Sequence, residues 1–359
     1  MTASTGRGRS AGGSFLRDVS HHGLFWPVVA LVLLVLACGL RSPGFLDVTV
    51  RDGHLVGQLV DIARNSATPL LLALGMCLVI ATGGIDLSVG AVMAISLSVS
   101  LEYIDNAADG GSLGTALTAL LLGLAVAVLV GTFNGFLVTV LGIQPFIATL
   151  ILMIAGRGIA MLITQGQITT VTSAPFKAIG AGYVLGVPTP VVIAIAVFLL
   201  LSLVVRRTAL GMFLEAIGIN GEASRLSGVR ARSTTWLCYI IAGTLAGLAG
   251  IVYGSPTMAA DANNIGLMRE LDAIMVVVLG GTKLSGGRFY LGGVVVGALI
   301  LSTLERAVII FHLPSETTPL FKAIVLIAVT VAASPFLRER LRSRRVRAEL
   351  VPSGAKAAA

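Results

Sequence analysis

The sequence predicts an all-α polytopic membrane protein of about ten transmembrane helices, with glycine-broken segments near 83–90 and 280–287. Three observations lead there. Of 359 residues, 56% are hydrophobic and 12% charged, and mean hydropathy is +0.96; soluble domains carry about 25% charged residues. The apolar residues gather in runs of about 20, the length that crosses hydrocarbon. And Gly83-Gly84-Ile85-Asp86-Leu87-Ser88-Val89-Gly90 returns downstream as Gly280-Gly281-Thr282-Lys283-Leu284-Ser285-Gly286-Gly287. Five of the eight positions are identical, and the fourth is acidic in one copy and basic in the other. Glycine costs roughly 1 kcal/mol in a helix interior, so neither copy suits a continuous helix. Paired breaks of this kind mark interrupted helices beside a transport pathway; the competing reading is two interhelical turns that match by chance.

In chain order, residues 1–23 form a polar cytoplasmic segment with three arginines, followed by an apolar run over 25–40. Val35-Leu36-Ala37-Cys38 resembles a lipoprotein cleavage site, but the chain keeps returning to the membrane, so the run is read as a retained first span. Residues 41–65 read as an external loop with a short surface helix. Spans follow at 66–83, 85–103, 113–133, 144–164 and 188–205, with a polar loop over 165–189. The longest charged insertion, 206–235, precedes spans near 236–254, 271–283, 289–311 and 319–335 and a basic tail, 336–359. The transmembrane permease domain is thus 24–335.

Orientation follows from charge. With the amino terminus inside, segments 1–23, 206–235 and 336–359 carry net charges of +2, +3 and +5, while the five external loops lie between −3 and +1. Basic residues gather on one side, as the positive-inside rule requires, and ten spans, an even number, then put both termini in the cytoplasm. The tail reads as a topology anchor and lipid contact, with no nucleic-acid role. Gly243, Gly247, Gly250 and Gly254, with the pairs Gly131/Gly135 and Gly293/Gly297, give small faces for close helix packing. Cys38, Cys77 and Cys238 all fall in apolar runs and read as buried hydrophobes.

Ionisable groups within spans need a reason. Asp86 and Ser88 stand at the first break, where two readings are open: lining a pathway, or capping the next helix. Glu270 and Asp272 open the span leading to the second break. Arg157 lies near the outer end of its span and reads as snorkelling; Glu305 and Arg306 are adjacent and read as a local neutral pair. Asn134, Gln144 and Thr149 supply hydrogen bonds suited to a neutral, hydroxyl-rich solute, with bonding to neighbouring helices as the alternative, and Gln144-Pro145 marks a bent helix start. In the internal loop, Asn220 suits a helix cap, Glu222, Ala223, Arg225 and Leu226 the helix, and Gly228 its end. Such a helix suits a groove on a partner; a solvated connector is the bland reading. No phosphate-binding loop, metal-ligand cluster or nucleophile elbow occurs, so no enzymatic activity and no cofactor are expected of this chain.

Five ordered motifs, residues 83–90, Ile143-Gln144-Pro145-Phe146-Ile147-Ala148-Thr149-Leu150, 220–228, Glu270-Leu271-Asp272-Ala273 and Gly280-Gly281, resemble the permease subunits of bacterial ABC sugar importers. The branch is the ribose/xylose/galactose type, with Asp261-Ala262-Asn263-Asn264 and Gly287-Arg288-Phe289 most similar to galactofuranose importers. The resemblance runs from about residue 55 to 335. It implies a pair of permease chains, identical or paralogous, and a cytoplasmic ATPase docked on residues 220–228. It also implies that the ATPase binds ATP and Mg, and that a periplasmic sugar-binding protein delivers the solute. Lys283 stands where many such permeases have a small polar residue. Two other classes remain open here: a proton-coupled secondary transporter using Asp86 or Asp272, and a membrane scaffold that only recruits partners.

Overall fold

A computed structural model describes residues 24–333; the amino-terminal segment and basic tail lie outside the described residues. Within them the chain is overwhelmingly α-helical. The first helix, α1 (Phe25–Arg41), leads to a hairpin of β1 (Thr49–Arg51) and β2 (His54–Val56), paired with Thr49 opposite Val56. Helix α2 (Gln58–Ala81) then begins several residues earlier than its apolar run, because Gln58, Asp61 and Arg64 find polar partners there. So the expected surface helix within 41–65 is instead a hairpin and the first turns of α2.

Next come α3 (Val89–Asp105), α4 (Leu113–Thr139) and α5 (Pro145–Ile163), whose proline occupies the first turn, where its missing N–H costs nothing. Residues 165–189 are more ordered than a polar loop. They contain β3 (Thr169–Thr170), α6 (Ala174–Ala181), β4 (Tyr183–Val184) and β5 (Val187–Pro188), leading into α7 (Thr189–Arg207). His54 stacks on Tyr183 at 4.1 Å, and the Leu55 amide donates to the Gly186 carbonyl, joining the two hairpins. The internal insertion holds α8 (Leu210–Ile219) and α9 (Gly221–Leu226). Then follow α10 (Ala231–Gly254), β6 (Ala259–Ala260, paired with β3), α11 (Arg269–Leu279), α12 (Leu291–Ile310) and α13 (Thr318–Ala333).

Six of these helices, α2, α4, α5, α7, α10 and α12, are long and apolar enough to cross a membrane. The expected ten do not all reach that length. With 11 residues α11 is about 16 Å long, half of a roughly 30 Å hydrocarbon core. For α3 and α11 the glycine breaks are the reason, since these helices adjoin the interruptions at 82–88 and 280–290; α1 and α13 are simply shorter, at 17 and 16 residues.

The core surrounds α2, buried from Ser66 to Ala81, and α3, buried from Val89 to Ser98. Glycine allows this closeness. Gly131 of α4 and Gly243 of α10 face each other so tightly that a Cβ at Gly243 would fall 2.7 Å from the Gly131 Cα. Gly250 lies against Met93 and Gly254 against Leu97. That register sets depth: α3 begins alongside the later part of α10, so residues 82–88 climb within the bundle before α3 starts. Helices α4, α5 and α7 are mostly exposed apolar surface, as a lipid-facing layer must be.

Charges are paired. Lys322 Nζ donates to Asp272 Oδ1 at 2.8 Å and lies 2.9 Å from Glu305 Oε1, while Arg269 Nη1 reaches Asp272 Oδ2 at 3.2 Å and stands over the Tyr253 ring. This neutral quartet ties α11, α12 and α13 together. Glu305 and Arg306 therefore do not neutralise each other: the Arg306 Nε donates to Gln58 Oε1 at 2.9 Å and its Nη2 approaches Asp61. Neighbours on a helix point about 100° apart, so each takes a partner from a different element.

Candidate functional site

The polar residues of the breaks form two groups. In the first, Asp86 is 1% exposed and its Oδ1 accepts from both the Ser88 amide (2.9 Å) and the Ser88 hydroxyl (2.6 Å). The Ser88 oxygen accepts in turn from Asn134 Nδ2 of α4 at 2.7 Å. From α5, the Thr149 hydroxyl meets the Ile85 carbonyl at 3.2 Å and the Pro145 carbonyl at 2.9 Å. One carboxylate thus closes a local turn just before α3, whose N-cap residue Ser88 itself makes no side-chain cap bond, while two neighbouring helices clamp the break from the side. Two atoms are left over: Asn134 Oδ1 and the Tyr239 hydroxyl are buried with no hydrogen-bond partner. A Cβ at Gly84 would lie 2.7 Å from that hydroxyl. Leaving such groups unpaired costs about 1–3 kcal/mol each.

The second group lies where the start of α3 meets the segment before α11. Gly90 and Gly266 touch backbone to backbone, and a Cβ at Gly90 would fall 2.6 Å from Glu270 Oε2. Glu270 is only 9% exposed, and this oxygen has no partner. Two helix amino termini, of α3 and α11, therefore converge beside a buried carboxylate, and their partial positive ends attract it. Arg157 does not snorkel: its Nη1 donates to the carbonyls of Ala262 and Asn263 (both 3.0 Å) and Ile265 (3.1 Å), holding this segment against α5. Asp272 belongs to the ion-pair quartet. Gln144 joins neither group; it is exposed at the start of α5, where its carbonyl accepts from the Ile147 and Ala148 amides.

The two breaks also meet. The Gly287 amide donates to the Ala81 carbonyl at 3.0 Å, and a Cβ at Gly286 would lie 2.9 Å from the Gly83 nitrogen. Beyond them stands α9. Asn220 Oδ1 accepts from the Ala223 amide at 2.9 Å, and Gly228 ends the helical segment with φ +87°. Glu222 and Arg225 pair at 2.6 Å while remaining exposed, and the Arg225 guanidinium holds the Glu222 carboxyl below its usual range. Ala223 and Leu226 are exposed too.

Sequence reasoning missed Tyr239, Lys322 and the whole of α8. Tyr239 was within reach: it precedes Gly243 by one helical repeat and continues the same packed face. Lys322 was visible as a lone cation inside an apolar run. Helix α8 is short and apolar apart from Glu215, so periodicity gives too little signal to mark it within the charged insertion.

A bundle of apolar helices interrupted twice, with buried polar groups at both interruptions, defines a multi-pass membrane permease. The chain belongs to the family described as branched-chain amino acid transport system / permease component, whose model matches residues 58–330. It is 46% identical over 314 residues to the galactofuranose transporter permease protein YtfT of Escherichia coli, covering 86% of this chain and 90% of that protein. To the fructose import permease protein FruF of Bifidobacterium longum it is 38% identical over 359 residues, covering 98% and 99%. To the ribose import permease protein RbsC of Escherichia coli it is 36% identical over 309 residues, covering 85% and 92%. No solved structure matches the chain. The family is one of transport permeases and not of enzymes, which places the chain in the inner membrane.

Proposed function

We propose that this chain is the permease subunit of an ATP-driven importer for a monosaccharide, a pentose or furanose. The observation that carries the reading is near end-to-end similarity to permeases named for galactofuranose, fructose and ribose. The buried amide, hydroxyl and carboxylate groups of Asp86, Ser88, Asn134, Thr149, Tyr239 and Glu270 suit a neutral polyol, which needs hydrogen bonds and no fixed counter-charge. Two such chains, identical or paralogous, enclose the pathway; beside Glu270, the half-exposed apolar residues Leu267, Met268 and Leu271 offer a face for the second copy.

Energy comes from a cytoplasmic ATPase that binds ATP and Mg and docks on α9 through Leu226 and the Glu222–Arg225 pair. A periplasmic binding protein presents the sugar at the outer hairpins, and both termini lie in the cytoplasm. Asp272 is already held between Lys322 and Arg269, which leaves little room for it as a coupling proton carrier.

The test is reconstitution of the permease with its ATPase and binding protein in lipid, measuring sugar-stimulated ATP hydrolysis across a sugar panel. Stimulation by a furanose or pentose is expected. Replacing Glu222, or Gly228 with its positive φ, is expected to leave the permease folded while stimulation falls. Uptake that persists with ATP depleted and a proton gradient intact would eliminate the reading.

A further inference from the structure

Three segments distant in sequence meet at one point without any side chain between them. Gly218, the penultimate residue of α8, sits so close to the Ala81 carbonyl and the Gly287 amide that no Cβ fits there without a shift of backbone. Those two groups are the ones joined by the hydrogen bond between the end of α2 and the second break. A Cβ at Gly286 would lie 2.9 Å from the Gly83 nitrogen and 3.1 Å from the Gly218 carbonyl oxygen. Gly83, Gly286 and Gly287 all hold positive φ, +84°, +82° and +87°. One residue, Asn220, separates α8 from α9; its amide bonds back to Ala216 and its side chain forward to Ala223. Helices α8 and α9 therefore form one arm, with the exposed docking helix at its tip and Gly218 at its root.

We propose that Gly218 is the positioning residue of the transport cycle: through direct backbone contact at this junction, displacement of the α8–α9 arm reaches both chain breaks at once. The physical argument is stiffness. A contact through long side chains absorbs small movements by changing rotamer, whereas packed backbone does not compress. Left-handed glycines at the three receiving positions supply the pivots, since glycine alone takes positive φ without strain. The second break is in reach of α2 as well: its Cys77 Sγ lies 3.9 Å from the Thr282 hydroxyl. The proposal rests on the reading that α9 docks the ATPase, and it assigns the route by which that docking acts on the pathway.

Cys77 is a native reporter. In the reconstituted complex, its reaction with N-ethylmaleimide, followed by peptide mass spectrometry, is expected to change when ATP is added. In Gly218→Ala the ATPase is expected to co-purify and hydrolyse ATP at its basal rate, while the ATP-dependent change at Cys77 disappears and uptake falls by about tenfold or more. Gly158→Ala, where a Cβ meets nothing within 4 Å, is the control and is expected to behave as the parent chain. Hydrogen exchange on the unmutated complex gives an independent reading should Gly218→Ala fail to assemble. ATP is expected to alter protection of the Gly287 amide and of residues 82–84 together with α8. Normal uptake by Gly218→Ala, or ATP-dependent exchange in α8 with none at Gly287, would overturn the junction. Failure of the ATPase to bind the parent chain would instead remove the docking reading on which it stands.

Discussion

The two glycine-rich octapeptides share five of eight residues and fold differently. In the first copy the left-handed residue is the leading glycine, Gly83; in the second it is the next one, Gly281, while Gly280 has φ −70°. Position seven sets where the next helix begins. Val89 starts α3 directly, whereas Gly286 and Gly287 keep positive φ and postpone α12 until Leu291. Position four reports environment: Asp86 is buried and satisfied by the donors of its own turn, while Lys283 is exposed. The repeat thus encodes an interruption, and the residues that differ encode where the interruption sits.

The largest expected effect breaks that comparison at position four. Asp86→Ala strands the buried Ser88 amide and hydroxyl, at about 1–3 kcal/mol each, and is expected to abolish uptake, measured with labelled sugar. Asp86→Asn keeps an acceptor and should restore part of it. Next come the glycines themselves. Gly286→Ala combines positive φ with backbone crowding, whereas Gly83→Ala has open space and only the left-handed cost of about 1–2 kcal/mol. Thermal unfolding in detergent should rank Gly286→Ala as the more damaging.

A finer distinction separates structure from transport. Tyr239→Phe removes a hydroxyl that has no partner, so stability is expected to hold or rise; uptake falls if that hydroxyl serves the solute. The smallest effect is expected at Lys283→Ala, an exposed position, with stability unchanged within about 0.5 kcal/mol. In α9, the helix proposed to meet the ATPase, arginine depresses the Glu222 carboxyl. Its pairing with Arg225 is therefore present at neutral pH and lost only as pH falls through that lowered value, so ATPase co-purification should be insensitive to mild acidification.

Much of this was legible beforehand. Hydropathy placed the apolar runs, side-chain chemistry the cap at Asn220, and the recurrent glycines marked faces for close packing without naming the helices they meet. What the sequence conceals is long-range partnership. Asp272 reads with Glu270 as an acid opening a span until α13 brings Lys322 beside it, and Arg157 reads as snorkelling until a distant segment offers it three carbonyls. The span read over 271–283 stops as helix at Leu279, where Gly280-Gly281 opens the break. Local rules do not reveal that Gly218, Gly286 and Gly83 share one point.

Serine at position six of both copies offers the most direct test. Ser88 is fully buried and Ser285 is exposed, and cysteine is a small change at each. In inside-out membrane vesicles, a membrane-impermeant maleimide is expected to label Ser285→Cys rapidly and leave Ser88→Cys unlabelled until the chain is denatured. Equal labelling of the two, or protection of Ser285→Cys, would contradict the account.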